Sequence, residues 1–219
     1  SLAGKGHSSM QETIARVSLD AVRMVAEQDS TVDLSKIKLI SQTGGRVEDS
    51  KAFRGLMIPK KRISSNMMKT VKHGKIVLVD GGLEKSNVAT DLKLNVTTVG
   101  VLESFRQEER NMLKRQVDKL IKNNVTVLAC RESIDDDIKN YLAENGIQAF
   151  RRVARSDLNM LARVCNTNLI NSIDALTTND LGSFISSENT TIDGKDFWII
   201  KGDGNAATII AKASTADFV

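Results

Sequence analysis

The sequence comprises 219 residues, of which 41% are hydrophobic and 26% are charged, with a net charge of +4. This composition excludes an intrinsically disordered chain. The length suffices for one large domain or two small ones. A single proline excludes a proline-rich linker, and no run of about 18 apolar residues is present that would span a membrane. We therefore expect a folded chain without a membrane partner.

The N-terminal region is predicted to form a helix followed by a short strand. Ser9 and Glu12 form a capping-box pattern, and apolar residues then recur at helical spacing as far as Glu27. Residues 33–40 alternate between apolar and polar, as expected of a strand, and the Gly44-Gly45 pair after them predicts a turn.

The middle of the chain alternates between strands and helices. Residues 53–63 are predicted to form a strand interrupted by Pro59, residues 75–80 form an apolar strand, and residues 90–98 alternate weakly. The elements predicted after them are a helix at 101–122, a strand at 125–130, a helix at 133–145, a strand at 147–153, a helix from Ser156 and a short strand at 169–170. This alternation predicts a layered α/β domain over about residues 46–181.

Two further strands are predicted near the C-terminus, at residues 197–200 and 208–211. They fall outside the alternation of strands and helices, as does the N-terminal helix. We therefore expect the two ends of the chain to meet as a second, discontinuous module.

One segment of the chain is strongly basic. Residues 51–75 contain eight Lys or Arg residues and no Asp or Glu. Such a segment suits a phosphate-bearing or acidic partner, and an RNA-binding domain is therefore one alternative function. The eight aromatic residues of the chain leave few platforms for base stacking, and a solvated loop and strand edge is the competing interpretation.

A nucleotide-dependent α/β enzyme is the second alternative, but its motifs are missing. The sequence has neither a P-loop nor a G-x-G-x-x-G turn after a strand, and Gly202-Asp203-Gly204 joins two predicted strands. The Asp135-Asp136-Asp137 cluster lies in the first turn of a predicted helix, where the positive end of the helix dipole stabilises carboxylates. His7 and His73 lack neighbours at ligand spacing, so no metal site is expected.

The two cysteines indicate the redox environment. Cys130 follows a predicted apolar strand, and the only other cysteine is Cys165. This placement favours buried, reduced thiols over a disulfide framework. A reducing compartment, most simply the cytoplasm, is therefore expected.

Many short segments match group II chaperonins in order and spacing. The Gly44-Gly45 pair and the acidic segment after it resemble the opening of the apical domain in that family, and residues 75–80 resemble the strand that leads into its helical protrusion. The other matching segments are Leu83-Glu84, Gln107-Glu108-Glu109, Met112-Leu113-Lys114, Val117-Asp118-Lys119, Ile134-Asp135-Asp136, Tyr141-Leu142, Gly146-Ile147, Arg151-Arg152-Val153, Ser156-Asp157, Leu176-Thr177 and Asp180-Leu181-Gly182. Over essentially its whole length, the chain resembles a chaperonin subunit of the archaeal thermosome or eukaryotic cytosolic type.

This resemblance implies a layered apical domain of chaperonin type with a helical protrusion, plus a small discontinuous α/β intermediate domain. The apical domain is expected at residues 46–181, with the protrusion at about 84–120. Residues 1–45 and 182–219 are expected to be the two halves of the intermediate domain. The equatorial ATP-binding domain is expected beyond both ends. The resemblance therefore implies no cofactor and no ATPase activity in these residues, and ATP with Mg²⁺ in the full-length protein.

The function implied by the resemblance is that of a molecular chaperone. Such a protein binds unfolded polypeptides and, in a full-length double ring with other subunits, encloses them under a built-in lid for ATP-driven folding. The resemblance implies a cytoplasmic location. Because ring contacts in this family are mostly equatorial, these residues alone are expected to be monomeric. Nucleic acid is not an expected partner.

The resemblance assigns two sets of residues to this function. Polypeptide capture is expected to involve Met57, Lys60, Arg62, Met67, Met68, Ile138 and Tyr141. The lid is expected to involve Val99, Val101, Leu102 and Phe105. Flexible methionines and an exposed apolar surface with a polar rim suit the capture of many sequences. For each apolar member of these sets, packing into the core remains the alternative.

Overall fold

The computed structural model describes residues 3–26, 32–85 and 99–213, with the backbone alone for residues 3–8 and 99–102. Within these residues the chain forms a mixed α/β fold with two β-sheets. No helix in the part of the chain so described is long and apolar enough to cross a membrane.

The smaller sheet joins the two ends of the described chain. In spatial order it consists of β1 (Ile37–Thr43), β10 (Ala207–Ala213) and β2 (Lys51–Arg54). Strands β1 and β10 are parallel, whereas β2 is antiparallel to β10. Helix α1 (Ala3–Val25) packs on this sheet through Val17, Ala21 and Val25, which are buried. The N-terminal helix and a C-terminal strand therefore meet, as the sequence predicts.

The larger sheet has seven strands and forms the body of the protein. In spatial order it consists of β3 (Leu56–Ile58), β9 (Lys195–Lys201), β8 (Gly182–Ile192), β4 (Thr70–Val79), β5 (Val125–Cys130) and β6 (Gln148–Phe150), and β7 (Leu169–Ile170) also pairs with β4. Strand β4 is parallel to β5 and β7, and β5 is parallel to β6. Strand β8 is antiparallel to β4 and β9, and β9 is antiparallel to β3.

Three helices cover the two faces of this sheet: α2 (Val99–Lys122), α3 (Lys139–Glu144) and α4 (Arg155–Val164). Alternate residues of β4 point into different hydrophobic cores. Val77 and Val79 pack in the core that contains α2 and α3, whereas Ile76 and Leu78 pack in the core that contains α4. Burial on both faces explains why β4 and β5 are nearly continuous apolar runs.

Several predicted elements differ from the structure. Helix α1 begins at Ala3, so Ser9 lies inside it and does not cap it. The strand predicted at 33–40 is a 3-10 turn at Leu34–Lys36 followed by β1. The strand predicted at 53–63 is divided between β2 and β3, which lie in different sheets, and residues 59–63 belong to a loop.

The helix predicted at residues 133–145 is a 3-10 turn at Asp136–Ile138 followed by the short α3, because the Asp135 side chain caps this turn by accepting a hydrogen bond from the Asp137 N–H. Strand β8 was not predicted, since its residues are mostly polar. The alternating residues 90–98 lie outside the described residues.

Strand pairing also divides the chain differently from the predicted domain boundaries. The sequence places residues 182–219 with the small module, but β8 pairs with β4, and β9 pairs with β8 and β3 in the large sheet. Conversely, β2 lies after residue 46 and pairs in the small sheet. The chain therefore passes between the two sheets at Gly55 and at residues 202–206.

Both crossing points require glycine. Gly55 has a φ of +135°, and a Cβ atom there would lie 2.3 Å from the Ile200 carbonyl oxygen. A Cβ atom on Gly204 would lie 1.7 Å from the Arg163 carbonyl oxygen, at the C-terminal end of α4. The Gly202-Asp203-Gly204 segment is therefore a turn packed on a helix C-terminus, where the partial negative charge disfavours phosphate.

Candidate functional site

Helix α3 is exposed between two grooves on the surface of the larger module. The α2–α3 groove has a volume of 320 Å³ and is lined by Gln107, Arg110, Asn111, Lys114, Asp137, Ile138 and Tyr141. The second groove, between α3 and the loop of residues 59–69, has a volume of 270 Å³ and is lined by Asn66, Asn140, Ala143 and Glu144. Two of the residues expected to capture polypeptide, Ile138 and Tyr141, line the α2–α3 groove, and none lines the second groove.

The loop of residues 59–69 covers the edge of the larger sheet at β6. The Ile63 N–H donates to the Ala149 carbonyl at 3.0 Å, and the Ala149 N–H donates to the Met67 sulfur at 3.4 Å. The loop therefore satisfies backbone groups of an edge strand that would otherwise be open to pairing with another chain.

A buried hydrogen-bond chain fixes the end of this loop. Gln148 Nε2 donates to the carbonyls of Met68 and Lys69 at 2.9 and 3.1 Å. The Ser187 hydroxyl donates to Gln148 Oε1 and accepts a 2.8 Å hydrogen bond from Trp198 Nε1. These bonds connect the loop to β8 and β9.

Asn189 of β8 holds the start of the same loop. Its Oδ1 accepts hydrogen bonds from the Arg62 backbone N–H and from Arg62 Nη1, both at 3.2 Å. Its Nδ2 donates to the carbonyls of Lys60 and Phe197, both at 2.9 Å. Both ends of the loop are thus tied to the sheet, and its side chains are presented from a fixed backbone.

Three of the seven residues expected to capture polypeptide are core residues in this structure. Met57, Met67 and Ile138 are 0%, 3% and 4% exposed. Met57 of β3 packs with Phe197 and Ile210, the Met67 sulfur accepts a hydrogen bond from β6, and Ile138 packs in the core beneath α3. Met57 and Met67 are therefore unavailable to a partner in this conformation, which corrects the expectation for these two. Ile138 presents only a small part of its side chain, which lines the α2–α3 groove.

The other four residues of that set are accessible to different degrees. Met68 is 49% exposed, and its methyl group lies near Gly146 at the end of α3. Lys60 and Arg62 are half-buried, and their donors are directed at the Arg152 and Ser65 carbonyls, respectively. They hold the loop in place, which leaves Met68 as the exposed apolar side chain of the loop.

Tyr141 is the half-buried aromatic side chain of α3. Its hydroxyl donates to the Asp118 carboxylate, and the Lys114 ammonium lies 5.0 Å from the centre of its ring. The hydrogen bond to Asp118 raises the pKa of Tyr141 above its ordinary value. The ring is therefore held in place, with one face under a cation.

The three aspartates before α3 have protein partners. Lys85 pairs with Asp135 and Asp137, and Asp136 pairs with Lys139 at 2.9 Å. Lys139 lowers the pKa of Asp136. Among the described residues, no group of three or more His, Cys, Asp or Glu side chains is arranged to hold a metal ion.

The expected lid residues lie at the start of α2. The side chains of Val99, Val101 and Leu102 are outside the described part of the structure, although their backbone is helical. Phe105 is half-buried. Their assignment to a lid stays a prediction.

The basic residues between positions 51 and 75 are spread over several elements. Arg54 of β2 donates to the Met24 carbonyl at 3.1 Å, and Lys61 pairs with Asp196 at 3.6 Å. Lys75 of β4 donates to the Asn123 carbonyl. Side chains directed at such different partners do not give the single stripe of cations that a nucleic-acid interface needs.

The polar residues of α2 that line the α2–α3 groove were assigned no function from the sequence. Gln107, Arg110, Asn111 and Lys114 recur at helical spacing and therefore share one face of α2. This spacing is visible in the sequence. Its meaning depends on α3, which packs beside this face only in the folded chain.

Comparisons with known proteins agree on one family. The sequence profile of the TCP-1/cpn60 chaperonin family matches residues 1–219. Thermosome subunits from Methanopyrus kandleri and Pyrococcus horikoshii are each 33% identical over 223 residues, covering 100% of this chain and 41% of each relative. The solved open-state monomer of a group II chaperonin from Methanococcoides burtonii has a TM-score of 0.74 at 26% identity, covering 97% of this chain and 48% of that one. The chain thus spans about two-fifths of the length of these curated relatives.

Proposed function

Since the chain belongs to the TCP-1/cpn60 chaperonin family, we propose that it is the part of a chaperonin subunit that binds unfolded polypeptides. In a full-length double ring, the captured chain would be enclosed under a built-in lid and folded with ATP and Mg²⁺. The thermosome family is an ATPase. We infer that the ATP site lies in a part of the subunit other than these 219 residues.

The observation that carries this proposal is the arrangement around α3. Tyr141 lines the α2–α3 groove, which has a polar rim, and the exposed Met68 side chain lies near Gly146, just beyond the end of α3. Exposed apolar groups with a polar rim bind apolar segments without reading one sequence. The loop that presents Met68 is tied to the sheet, so little ordering entropy opposes binding.

The pairing of strands supports a revised division into domains. We propose an apical domain built on the larger sheet and an intermediate domain built on α1 and the smaller sheet, with boundaries near Gly55 and residues 202–206. The protrusion at about residues 84–120, the monomeric state of these residues and a cytosolic location belong to the same proposal. No described feature favours the nucleotide-dependent enzyme or the RNA-binding domain.

The proposal is tested by capture of a chemically unfolded protein, measured as suppression of its aggregation by light scattering. We expect the double variant Met68→Ser/Tyr141→Ser to need at least about fivefold more protein for the same suppression. This loss corresponds to roughly 1 kcal/mol of binding free energy.

The matched control removes two exposed apolar side chains elsewhere. Leu39 of β1 is 65% exposed and Ile185 of β8 is 39% exposed, and neither lines a groove beside α3. The double variant Leu39→Ser/Ile185→Ser should capture the unfolded protein as well as the parent. An equal loss of aggregation suppression in both double variants would show that exposed apolar side chains in general, and not the surface around α3, bind the unfolded chain.

A further inference from the structure

We propose that the α2–α3 groove selects client segments in which a carboxylate lies beside an apolar side chain. This inference rests on the proposed function and names the class of segment that this groove prefers. It follows from the floor of the groove, from the cations on its rim and from the way in which nearby carboxylates are already paired.

The floor of the groove is apolar and of suitable size. Ile138 and Tyr141 line it, and the Lys114 ammonium lies 5.0 Å from the centre of the Tyr141 ring. A cavity of about 150 Å³ holds one benzene molecule. The 320 Å³ groove therefore has room for a large apolar side chain and part of its backbone.

Two cations on the rim lack a carboxylate partner. Arg110 and Lys114 are one helical turn apart on α2, and among the described residues neither makes a salt bridge within 4.0 Å. Arg110 Nη2 donates to Gln107 Oε1 at 3.0 Å, which leaves its other N–H groups available. By contrast, Arg115 on the exposed side of the same helix pairs with Glu108 at 2.9 Å.

Two carboxylates beside the groove already have partners. Asp137 on the opposite wall pairs with Lys85, and Asp118 accepts the Tyr141 hydroxyl hydrogen bond. The rim therefore presents net positive charge above an apolar floor. A client carboxylate that contacts Arg110 or Lys114 while its neighbour fills the groove satisfies both features.

A peptide fits this site better than a nucleic acid does. The apolar floor receives one side chain, and Tyr141 is the one aromatic residue that lines the groove, so consecutive bases find no series of rings. Gln107 Nε2 donates to Asn111 Oδ1 at 3.1 Å on the rim, and the second N–H of each amide suits a backbone carbonyl of an extended peptide.

The experiment compares two labelled, unstructured peptides by fluorescence anisotropy. They share their apolar residues, but one carries Asp and Glu where the other carries Asn and Gln. We expect the parent protein to bind the acidic peptide about five- to tenfold more tightly at low salt, since exposed charge pairs are individually weak. At about 0.5 M salt this preference should largely disappear.

Two double variants locate the effect. Arg110→Gln/Lys114→Gln should reduce the preference to less than about twofold and leave the affinity for the amide peptide within about twofold. Arg106→Gln/Lys122→Gln changes net charge equally on the same helix but outside the groove, and it should keep the preference. If the first variant melts early, Arg110→Lys/Lys114→Arg retains both charges and should keep the preference.

Each other outcome has a definite meaning. Equal binding of the two peptides by the parent overturns the inference while the proposed function stands. Equal loss of preference in both charge-removing variants also overturns it, since net charge would then be the cause. Displacement of the acidic peptide by a uridine oligonucleotide would assign the groove to nucleic acid. Failure to bind either peptide or any unfolded protein would instead contradict the proposed function itself.

Discussion

Lys38 of β1 forms an ion pair with Asp157 in the first turn of α4, and this pair joins the small sheet to the larger module. The two side chains are only 20% and 15% exposed. A second contact lies beside it, where Arg163 Nη1 donates to the Ser35 hydroxyl at 3.0 Å and approaches Asp33 at 3.7 Å. Polar contacts thus supplement the two glycine crossings between the modules.

We expect the Lys38–Asp157 pair to contribute about 1–2 kcal/mol to the coupling between the modules. Partial burial reduces solvent screening, so the pair should exceed the usual surface value of about 0.2–1 kcal/mol. A double-mutant cycle with Lys38→Met and Asp157→Asn, followed by urea unfolding, measures the coupling energy. The cycle is needed because Asp157 also interacts with the dipole of α4.

The control cycle uses an exposed pair. Arg115 and Glu108 are 66% and 67% exposed, and their cycle should give less than about 0.5 kcal/mol. A coupling energy for Lys38 and Asp157 no larger than that of the control would contradict the role assigned to the pair.

The second prediction concerns Ser187, which links Trp198 to Gln148. We expect Ser187→Ala to lower the free energy of unfolding by about 2–4 kcal/mol, because it leaves a buried donor and a buried acceptor unpaired. Urea unfolding followed by the fluorescence of Trp198, the only tryptophan, measures this change. Ser186→Ala, at the neighbouring half-buried position, should change it by less than about 0.5 kcal/mol. Similar values for the two variants would refute the prediction.

The third prediction concerns Glu109 on α2. Its side chain is only 5% exposed, and neither carboxylate oxygen has a hydrogen-bond partner among the described residues. We expect Glu109→Met to raise the free energy of unfolding by about 1–3 kcal/mol, since it removes an unpaired polar group and keeps helix propensity. Glu103→Met, at an exposed position of the same helix, should be nearly neutral in thermal melting. A destabilised Glu109→Met protein would show that the carboxylate has a stabilising partner.

The fourth prediction concerns the accessibility of the two thiols. Burial raises the pKa of Cys165 to about 12 and raises the pKa of Cys130 as well. We expect neither thiol to react with a thiol reagent in the folded protein at about pH 8, because the thiolate is the reactive form. Both thiols should react once the protein is unfolded in urea. Rapid reaction of one thiol in the folded protein would contradict its burial.

The same thiols predict how stability changes at high pH. In the unfolded chain they ionise near their ordinary pKa of 9.0, whereas in the folded chain the pKa of Cys165 is about 12. The contribution of the neutral thiols is therefore fully present below pH 9.0 and is lost as the pH rises toward 12. Between about pH 8 and about pH 10, the urea midpoint of the parent should fall further than that of Cys130→Ala/Cys165→Ala. Equal falls would contradict this linkage.

The sequence by itself determined the elements whose signal is local. Strand β5 was predicted at its observed residues, 125–130, and α2 was predicted to within two residues of its observed limits. In both, hydrophobic periodicity follows directly from backbone geometry, so a window of about ten residues suffices. The segments that carry the family resemblance are equally local, and the family was confirmed.

Only the tertiary structure decided which apolar side chains are exposed. Met57, Met67 and Met68 are chemically identical and close in sequence, yet two are buried and Met68 is half-exposed. The difference depends on β9 and β6, which lie about 80 or more residues away along the chain. For the same reason the polar strand β8 was missed. Ser187 and Asn189 become core residues only when distant partners form hydrogen bonds with them: Gln148 accepts from Ser187, the Lys60 carbonyl accepts from Asn189, and the Arg62 N–H donates to Asn189.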